Sequence, residues 1–286
     1  MAAEKGSLSL RAGPAPHWRF ALRRRHVHLA ILAGLLPTAG AALWVYGWSA
    51  AARLGLVAGA AVLVELVTQR AMRQPVRVGD FSAVLQGLLL GFLMPADAPW
   101  WLLLVGVVAM VVIGKQIFGG TGGYPVNPVF VAWAVLLLSW GNRMTPIGDG
   151  ALGTGWLPAV WIGGVALVLL GHVRWQAPVG MLLGVVVTAG IFGAAYPGSP
   201  GPLEQLATGS VALGIFFLST DPTCAPANPW PRLLFGLLAG TLLVILRQWG
   251  TWAEPVPFAL LLANLTSPVL DRTIRAKPLR RITSHA

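Results

Sequence analysis

Apolar residues occur in long blocks along the chain. Runs of about 14 to 20 apolar residues recur between His28 and Leu270, and proline, glycine or charged residues separate them. This length approaches the roughly 20 residues with which an α-helix crosses a bilayer. Because backbone groups in lipid must form hydrogen bonds within their own segment, such runs are expected to be helical. The pattern therefore predicts an all-α integral membrane protein.

We predict about ten spans, of which the third, fifth, eighth and tenth are short. Their ranges are 28–47, 51–68, 81–94, 99–118, 128–140, 156–171, 177–195, 205–219, 233–249 and 256–270. The spans divide the chain into three regions. These are a basic extension at 1–27, a transmembrane domain at 28–272 and a basic tail at 273–286.

Composition and charge support a location in lipid. Of the 286 residues, 56% are hydrophobic and only 10% are charged, against about 25% charged residues in soluble proteins. The formal net charge is +11, with the basic residues concentrated in short loops and in the tails. Basic loops of membrane proteins lie preferentially in the cytoplasm. We therefore predict that both termini are cytoplasmic, and the charge does not indicate nucleic-acid binding.

Cysteine and histidine give no indication of a metal site. A single cysteine, Cys224, cannot form an internal disulfide or provide the four thiolates of an iron–sulfur cluster. The five histidines show no pair with the spacing of metal or haem ligands. We predict no metal binding by this chain.

A weak internal repeat relates the two halves. The segment 87–95, Gly-Leu-Leu-Leu-Gly-Phe-Leu-Met-Pro, resembles the segment 209–220, Gly-Ser-Val-Ala-Leu-Gly-Ile-Phe-Phe-Leu-Ser-Thr. Proline, tryptophan and a long span follow each segment in the same order. A repeat of five spans places the second half upside down relative to the first, as in transporters built from inverted repeats with broken helices. The alternative is chance similarity between segments rich in glycine, proline and leucine. Small-residue spacing at Gly87-x-x-x-Gly91 and Gly236-x-x-x-Gly240 predicts close helix packing.

Three carboxylates stand out as candidates for chemistry. Glu65 lies inside the second span, where it either pairs with an arginine at the interface or lines a polar pathway. Asp80 precedes the third span and, with Ser82, is placed to cap that helix. Asp221 follows the eighth span and either forms a turn or contacts a ligand or cation. We assign Glu65 and Asp80 to a candidate ion pathway.

The glycine-rich segment 115–128 is the richest local motif. It reads Lys-Gln-Ile-Phe-Gly-Gly-Thr-Gly-Gly-Tyr-Pro-Val-Asn-Pro. Glycines let amide groups approach a ligand, Lys115 adds positive charge at the cytoplasmic rim, and Asn127 begins a short helix. A phosphate or the polar edge of a flavin suits this segment, and an ordinary tight turn is the alternative. The candidate cofactor-binding residues are Lys115, Gly119, Gly120, Gly122, Gly123, Asn127, Thr220, Asp221 and Thr154.

Taken in order, these motifs resemble those of the RnfD/NqrB family. The segment 79–90 is similar to the family's Asp-Gly-Ser-Ala-x-Val-Thr-Gly-Leu-Leu-Leu segment, and 115–128 to its Lys-x-x-Phe-Gly-Gly…Asn-Pro-Phe-Asn-Pro loop. Thr220-Asp221-Pro222 matches the Thr-Asp-Pro that ends the eighth span, and 258–271 resembles the last span. The similarity runs from about residue 28 to residue 272.

The resemblance implies ten helices, an inverted repeat and a bacterial inner-membrane complex that couples electron transfer to Na⁺ or H⁺ movement. It also implies bound flavin, either FMN or riboflavin. The family joins FMN to a threonine of a Ser-Gly-Ala-Thr motif between the fifth and sixth spans. Here the loop 140–156 lacks that motif, and its only hydroxyl candidates are Thr145 and Thr154. We therefore expect non-covalent flavin in a divergent member of the family.

The sequence leaves two classes of function open. In the first, the chain is a redox subunit rather than an enzyme alone. It passes electrons through flavin to membrane and peripheral partner subunits, and onwards to quinone or ferredoxin. In the second, it is a transporter or channel for a small solute or a flavin, or a flavin-free scaffold, because an inverted-repeat bundle serves these roles equally well.

Overall fold

A computed structural model describes residues 24–144, 157–250 and 254–273, and the described part is helical without strands. The helices are α1 (Arg24–Tyr46), α2 (Trp48–Ala71), α3 (Ser82–Leu93), α4 (Trp100–Val108), α5 (Pro128–Met144), α6 (Leu157–Leu169), α7 (Gln176–Ala195), α8 (Pro202–Leu206), α9 (Gly209–Leu213), α10 (Pro229–Trp249) and α11 (Val256–Thr273). Helix α4 continues as a π-helical stretch, Ala109–Gln116, and α9 as a second π-helical stretch, Gly214–Leu218. A short 3₁₀ turn, Val78–Asp80, precedes α3.

Each predicted span coincides with helix, and the all-α membrane class is confirmed. Four helices, α1, α2, α7 and α10, are long and apolar enough to cross a bilayer by length and composition. Shorter apolar helices occupy the third, fourth and sixth spans. The eighth span differs from the prediction because it is broken. Thr208 adopts an extended conformation between α8 and α9, at φ −88° and ψ 132°.

The outer surface of the bundle is strongly apolar. Trp44 exposes 92% of its surface, Trp48 84% and Leu138 84%. Side chains of this kind are stable at a helix surface when hydrocarbon or the interfacial region surrounds them. The interior is also apolar, with one continuous core that extends from Ile31 to Ala263. The molecule is therefore a bundle with apolar residues both inside and outside.

The two halves repeat the same pattern of neighbours. Helix α2 packs against α3 and α4 in the first half, while α7 packs against α10 and the second π-helical stretch in the second half. The fifth helix of each half, α5 or α11, packs on the helix before it. Between the halves, α1 contacts α6 and α5 contacts α11, so equivalent helices meet. This arrangement agrees with the predicted repeat of five spans.

Close packing at the glycine pairs is confirmed. A Cβ added at Gly236 would lie 2.3 Å from the Ala177 carbonyl oxygen, and one at Gly240 2.2 Å from that of Met181. Helix α7 reciprocates, because a Cβ at Gly184 would lie 2.3 Å from the Leu237 carbonyl oxygen. The α7 and α10 backbones therefore touch, as small-residue motifs allow.

Candidate functional site

The two π-helical stretches lead to the same polar region. The first ends with Lys115 and Gln116, and Ser219, Thr220 and Asp221 follow the second. π-Helical insertions are often found at functional sites, because they redirect side chains relative to a regular helix. The end of α2, the 3₁₀ turn and the glycine-rich segment complete the region.

A fully buried ion pair lies at the centre of this region. The Nζ atom of Lys115 is 2.7 Å from Oε1 of Glu65, and the two side chains are 0% and 1% exposed. Lys115 also donates a hydrogen bond to the Ser82 hydroxyl, at 2.6 Å. The π-helical stretch packs against α2, and the Lys115 side chain lies inside the bundle. Its predicted position at the cytoplasmic rim stays a prediction.

Amide side chains surround the carboxylate of Glu65. Gln69 and Gln116 donate hydrogen bonds to its Oε1 atom, at 3.1 Å and 3.0 Å. The Oε2 atom of Glu65 and the Oε1 atom of Gln116 are buried and accept no hydrogen bond within the described residues. Buried acceptors of this kind are usually satisfied by water or an ion. Glu65 is paired with a lysine in the interior instead of the predicted arginine at the interface, and its place in a polar pathway stays a prediction.

Asp80 extends the network towards the glycine-rich segment. Its Oδ1 atom accepts hydrogen bonds from the Ser82 amide at 2.9 Å and the Ser82 hydroxyl at 2.6 Å. The N-cap residue of α3 is Phe81, which has no side-chain cap, so the capping prediction holds only for the bond from Asp80 to the first helical amide, and Ser82 is not a cap. Its Oδ2 atom accepts one from Thr121 at 3.0 Å. Burial alone would raise the pKa of Asp80, but the hydrogen bonds from Ser82, the charge of Lys115 and the hydrogen bond from Thr121 together outweigh it, and the pKa is lowered. A continuous polar path thus joins Glu65, Lys115, Ser82 and Asp80.

Asp221 and Asn127 bring the second half to the same region. The Asp221 Oδ1 atom accepts a hydrogen bond from the Thr223 amide at 2.9 Å, which confirms the turn. Its Oδ2 atom accepts one from Asn127 at 3.0 Å and a long one from the Tyr124 hydroxyl at 3.5 Å. Asn127 also accepts the Val129 amide and so caps α5. Burial raises the pKa of Asp221.

The amides of the glycine-rich segment close the end of the π-helical stretch. Those of Gly119 and Gly120 donate to the carbonyls of Gln116 and Lys115, each at 3.0 Å. The Gly123 amide donates to the Gly120 carbonyl at 3.1 Å. These amides are therefore already bonded, which favours the turn interpretation. Positive φ angles at Gly119, Gly120 and Gly122 explain why glycine is required there.

The remaining predicted residues divide into two groups. The hydroxyl of Thr220 donates back to the Phe216 carbonyl at 2.8 Å, so it stabilises the end of its own helix. Thr145 and Thr154 lie outside the described residues, as do most of the two basic tails. Contact of any of the nine candidate residues with a cofactor stays a prediction.

A polar cavity of about 210 Å³ lies beside the ion pair. It is lined by Gln69, Gln74, Pro75, Arg77, Gln116, Gly119, Gly120 and Thr121. Pockets for whole cofactors usually measure about 300–1,000 Å³, so the cavity fits a phosphate or the polar edge of a flavin but not an entire flavin. The guanidinium of Arg77 and the side-chain amides of Gln69 and Gln116 suit such a group.

Sequence reasoning missed several members of the site. They are His28, Gln69, Ser82 as a partner of Lys115, Gln86, Gln116, Thr121 and Tyr124. A usable signal was present, because Glu65 and Gln69, and likewise Ser82 and Gln86, are four residues apart within apolar spans. Residues at this spacing lie on one face of a helix.

The second half carries a related but different cluster around Arg247. Its guanidinium donates hydrogen bonds to Gln205 Oε1 at 2.5 Å and to the Thr208 hydroxyl at 3.5 Å. Glu254 interacts electrostatically with Arg247, and burial raises the pKa of this glutamate while that attraction opposes the rise. We call these four residues the Arg247 cluster. The Lys115 cluster is Glu65, Gln69, Asp80, Ser82, Lys115, Gln116 and Thr121.

The fold and the site together define an all-α membrane protein of two repeated halves, with an ionised network buried at one end. The chain belongs to the NQR2, RnfD, RnfE family, which it matches over residues 12–158 and 147–280. It is 29% identical to the D component of the ion-translocating oxidoreductase complex of Salmonella paratyphi B, over 93% of this chain and 97% of that protein. It is 30% identical to the D component of the Na⁺-translocating ferredoxin:NAD⁺ oxidoreductase complex of Acetobacterium woodii, over 93% of each chain.

Proposed function

We propose that this chain is the membrane subunit of an Rnf-type, ion-translocating electron-transport complex. The observation that carries the proposal is the buried Glu65–Lys115 ion pair within a family whose relatives are named for ion translocation. Ionised groups inside membrane proteins are costly and usually belong to ion or proton pathways. In this proposal Glu65 and Asp80 line the pathway, and Lys115 holds Glu65 directly and Asp80 through the Ser82 hydroxyl.

Electron transfer requires a redox group that the polypeptide itself lacks. We propose a non-covalently bound flavin, FMN or riboflavin, whose polar edge enters the cavity beside Arg77, Gln69 and Gln116. The flavin would supply one- and two-electron chemistry, while this chain would bind and orient it. Other membrane and peripheral subunits would deliver and remove the electrons, with quinone or ferredoxin further along the route.

A visible absorption spectrum of the purified complex tests the flavin. We expect native protein to be yellow and denatured protein to release the chromophore, because the 140–156 loop lacks the covalent attachment motif. Arg77→Gln should lower the flavin content, since it removes a cation from the cavity. Arg70→Gln is the matched control, because Arg70 is exposed and does not line the cavity.

The alternative is a flavin-free scaffold or a transporter of a small solute. Two observations favour it: the amides of Gly119, Gly120 and Gly123 are already bonded, and the cavity is smaller than those that hold whole cofactors. Colourless native complex would support this alternative and remove the redox role. A fluorescent band that survives denaturation and is lost in Thr154→Ala would show covalent attachment instead.

We also propose that the chain resides in a bacterial inner membrane with both termini in the cytoplasm. The asymmetric distribution of arginine and lysine supports this orientation. A reporter fused at Asp97 should then report the outer side, and one at the C-terminus the cytoplasmic side. The opposite result at either position contradicts the ten-span topology.

A further inference from the structure

A second, smaller cavity lies at the end of the bundle where α1 turns into α2. Its volume is about 60 Å³. Its walls come from the last turns of α1, the first turns of α2, the end of α3 and the turn that follows α3. The polar side chains that line it are those of Tyr46, Ser49 and Arg53. Since one water needs about 10–15 Å³, the cavity has room for a phosphate group.

Aromatic residues place this cavity at the membrane interface. Trp44 and Trp48, on either side of the turn between α1 and α2, are almost fully exposed. Tryptophan is enriched at the level of the lipid headgroups. Arg53 follows Trp48 by little more than one helical turn, about 7–8 Å along α2. The cavity therefore lies at the depth where the phosphates of lipids are found.

The guanidinium of Arg53 supplies a cation with donors to spare. It donates hydrogen bonds to the carbonyl oxygens of Ala96 and Pro95, the second at 2.5 Å. A guanidinium has five N–H donors, and no further hydrogen-bond acceptor for it is found among the described residues. The side chain is half-buried, so its other donors require a partner at the interface. Phosphate is the anion whose geometry an arginine matches best.

A carboxylate of opposite charge lies beside this cation. Asp97 is exposed, follows Ala96 at the rim of the cavity and interacts electrostatically with Arg53. No direct ion pair joins the two side chains within the part of the chain that the structure describes. The two charges are thus close but do not neutralise each other by contact. This arrangement is complementary to a headgroup that carries both a phosphate and an ammonium.

An apolar cavity of about 270 Å³ lies deeper along α1. Phe92 lines both cavities, and Ala39 in the apolar one is a single turn from Ala42 in the polar one. From Ala42 to Leu32, which also lines the apolar cavity, α1 rises by about 15 Å, half the thickness of a hydrocarbon core. An acyl chain that starts at the polar cavity therefore has the length to occupy the apolar one.

We propose that the two cavities together bind one phospholipid, with phosphatidylethanolamine as the preferred lipid. Its phosphate accepts hydrogen bonds from Arg53, its ammonium donates to Asp97, and one acyl chain lies in the apolar cavity beside Phe92. Hydrogen bonds between ionised groups are the strong ones, which gives the headgroup its selectivity. This lipid site goes beyond the proposed function, because binding does not require electron transfer.

A purely structural role for Arg53 predicts a different result. Its bonds to Pro95 and Ala96 place a positive charge at the end of α3, where the helix dipole favours a cation. If Arg53 served only this turn, its replacement would lower stability equally with and without lipid. If it binds a phosphate, its replacement removes the additional stability that the lipid provides.

Titration of the delipidated full-length chain in detergent tests the proposal. Native mass spectrometry counts the bound lipids, and thermal unfolding measures the stabilisation. The probes are phosphatidylethanolamine, phosphatidylcholine and phosphatidylglycerol with identical acyl chains. We expect one phosphatidylethanolamine per chain, bound more tightly than the other two lipids, and a higher melting temperature in its presence. Phosphatidylcholine lacks N–H donors for Asp97, and phosphatidylglycerol lacks the cation.

Substitutions of the charged residues assign the two ends of the headgroup. Arg53→Gln should weaken phosphatidylethanolamine binding by about tenfold or more, because the phosphate loses its charged donor. Arg53→Lys keeps the charge without the planar fork and should bind with intermediate affinity. Asp97→Asn should abolish the preference over phosphatidylcholine. Arg143→Gln is the matched control, because Arg143 is exposed at the end of α5 and lines neither cavity.

Ala50→Leu tests the cavity without removing a charge. Ala50 lines the polar cavity, so a leucine side chain at this position occupies the space of the phosphate. Binding should fall as in Arg53→Gln, while the bonds of Arg53 to Pro95 and Ala96 remain. Gel filtration and thermal unfolding without added lipid establish that each variant is folded.

The proposal is overturned if folded wild-type protein retains no phospholipid at one per chain, or if Arg53→Gln or Ala50→Leu binds it as tightly as wild type. Equal affinities for the three lipids would overturn the pairing of the ammonium with Asp97. Flavin content is measured separately by absorption. Failure of the lipid site therefore leaves the flavin result unchanged, and failure of the flavin leaves the lipid result unchanged.

Discussion

The Lys115 and Arg247 clusters occupy corresponding places in the two halves but differ in charge. In each half, a cation near the end of the fourth span contacts the start of the third. Lys115 reaches Ser82, the first residue of α3, and Arg247 reaches Thr208, the residue before α9. Lys115 forms a direct ion pair with a carboxylate, whereas the hydrogen-bond partners of Arg247 are neutral.

The comparison of the two clusters distinguishes the features that serve the fold from those that could serve chemistry. A cation that holds the start of a broken helix is a feature of both halves, so it serves the fold. The ion pair, the buried amides around it and the polar cavity belong to the Lys115 cluster. Glu254 is the nearest equivalent of a counter-charge in the Arg247 cluster, and it acts over a longer range. The scaffold is thus common to both halves, whereas the direct ion pair belongs to one of them.

The strongest test of this contrast is Glu65→Gln. The substitution leaves Lys115 charged and fully buried without its carboxylate, which should cost about 3–5 kcal/mol of unfolding free energy. Lys115→Met in addition should recover much of the loss, because both charges are then absent. Unfolding in detergent, followed by circular dichroism, measures both effects.

Arg247→Met supplies the comparison in the other cluster. It removes donors from the neutral partners Gln205 and Thr208, so we expect a smaller loss of about 1–3 kcal/mol. A loss as large as that of Glu65→Gln would show that the two clusters are energetically equivalent. The proposed specialisation of the Lys115 cluster would then be wrong.

A second test compares helix packing in the halves. In the second half, a Cβ at Gly184 would approach the Leu237 carbonyl oxygen to 2.3 Å, and this backbone atom cannot move by rotation of a side chain. In the first half, a Cβ at Gly91 would meet the Val57 side chain at 2.8 Å. We expect Gly184→Ala to destabilise by about 1–3 kcal/mol and Gly91→Ala by less.

Gly190→Ala is the control for this test, since the space beside Gly190 is open. It should stabilise α7 slightly through the higher helix propensity of alanine. Thermal unfolding of the three variants in the same detergent gives the ranking. Equal effects of Gly184→Ala and Gly91→Ala would mean that the α7–α10 contact is no tighter than the α2–α3 contact.

The sequence predicted the helices well because their cause is local. The length of an apolar run specifies a membrane helix, and α2 and α7 follow from that rule alone. The break at Thr208 was missed, although Thr208-Gly209-Ser210 forms a short polar and glycine-containing stretch near the start of the predicted span. Such a stretch is compatible with a turn as well as with a helix, and the extended conformation of Thr208 depends on its surroundings.

The site was predictable only in its parts. Glu65, Asp80 and Lys115 were recognisable as unusual residues, but the pairing of Glu65 with Lys115 joins positions 50 residues apart in the sequence. The burial of Lys115 results from the π-helical stretch and its packing on α2, and hydrophobic periodicity reveals neither. The cavity beside Arg53 is a long-range feature as well, because its walls come from α1, α2, α3 and the turn after α3.

The smallest expected effect concerns pH, and it again separates the two clusters. The pKa of Asp80 is lower in the folded protein than in the unfolded chain. Its carboxylate therefore stabilises the folded protein at pH values above the pKa of the unfolded chain, and this stabilisation is lost as the pH falls through the pKa of the folded protein. The pKa of Glu254 is higher in the folded protein than in the unfolded chain. Its contribution to the stability of the folded protein is therefore present at pH values below the pKa of the unfolded chain, and it is lost as the pH rises through the pKa of the folded protein. The two carboxylates thus act in opposite directions.

Melting temperature measured across the acid range should resolve both effects. Asp80→Asn should flatten the loss of stability at the acidic end, because the depressed carboxylate responsible for it is gone. Glu254→Gln should instead flatten the decline that accompanies the rise from acidic towards neutral pH. Each variant leaves the other cluster intact and so serves as its control. If both variants changed the plot of melting temperature against pH in the same pH range, Asp80 and Glu254 would share one kind of environment. The asymmetry between the Lys115 and Arg247 clusters would then not extend to the protonation of these two carboxylates.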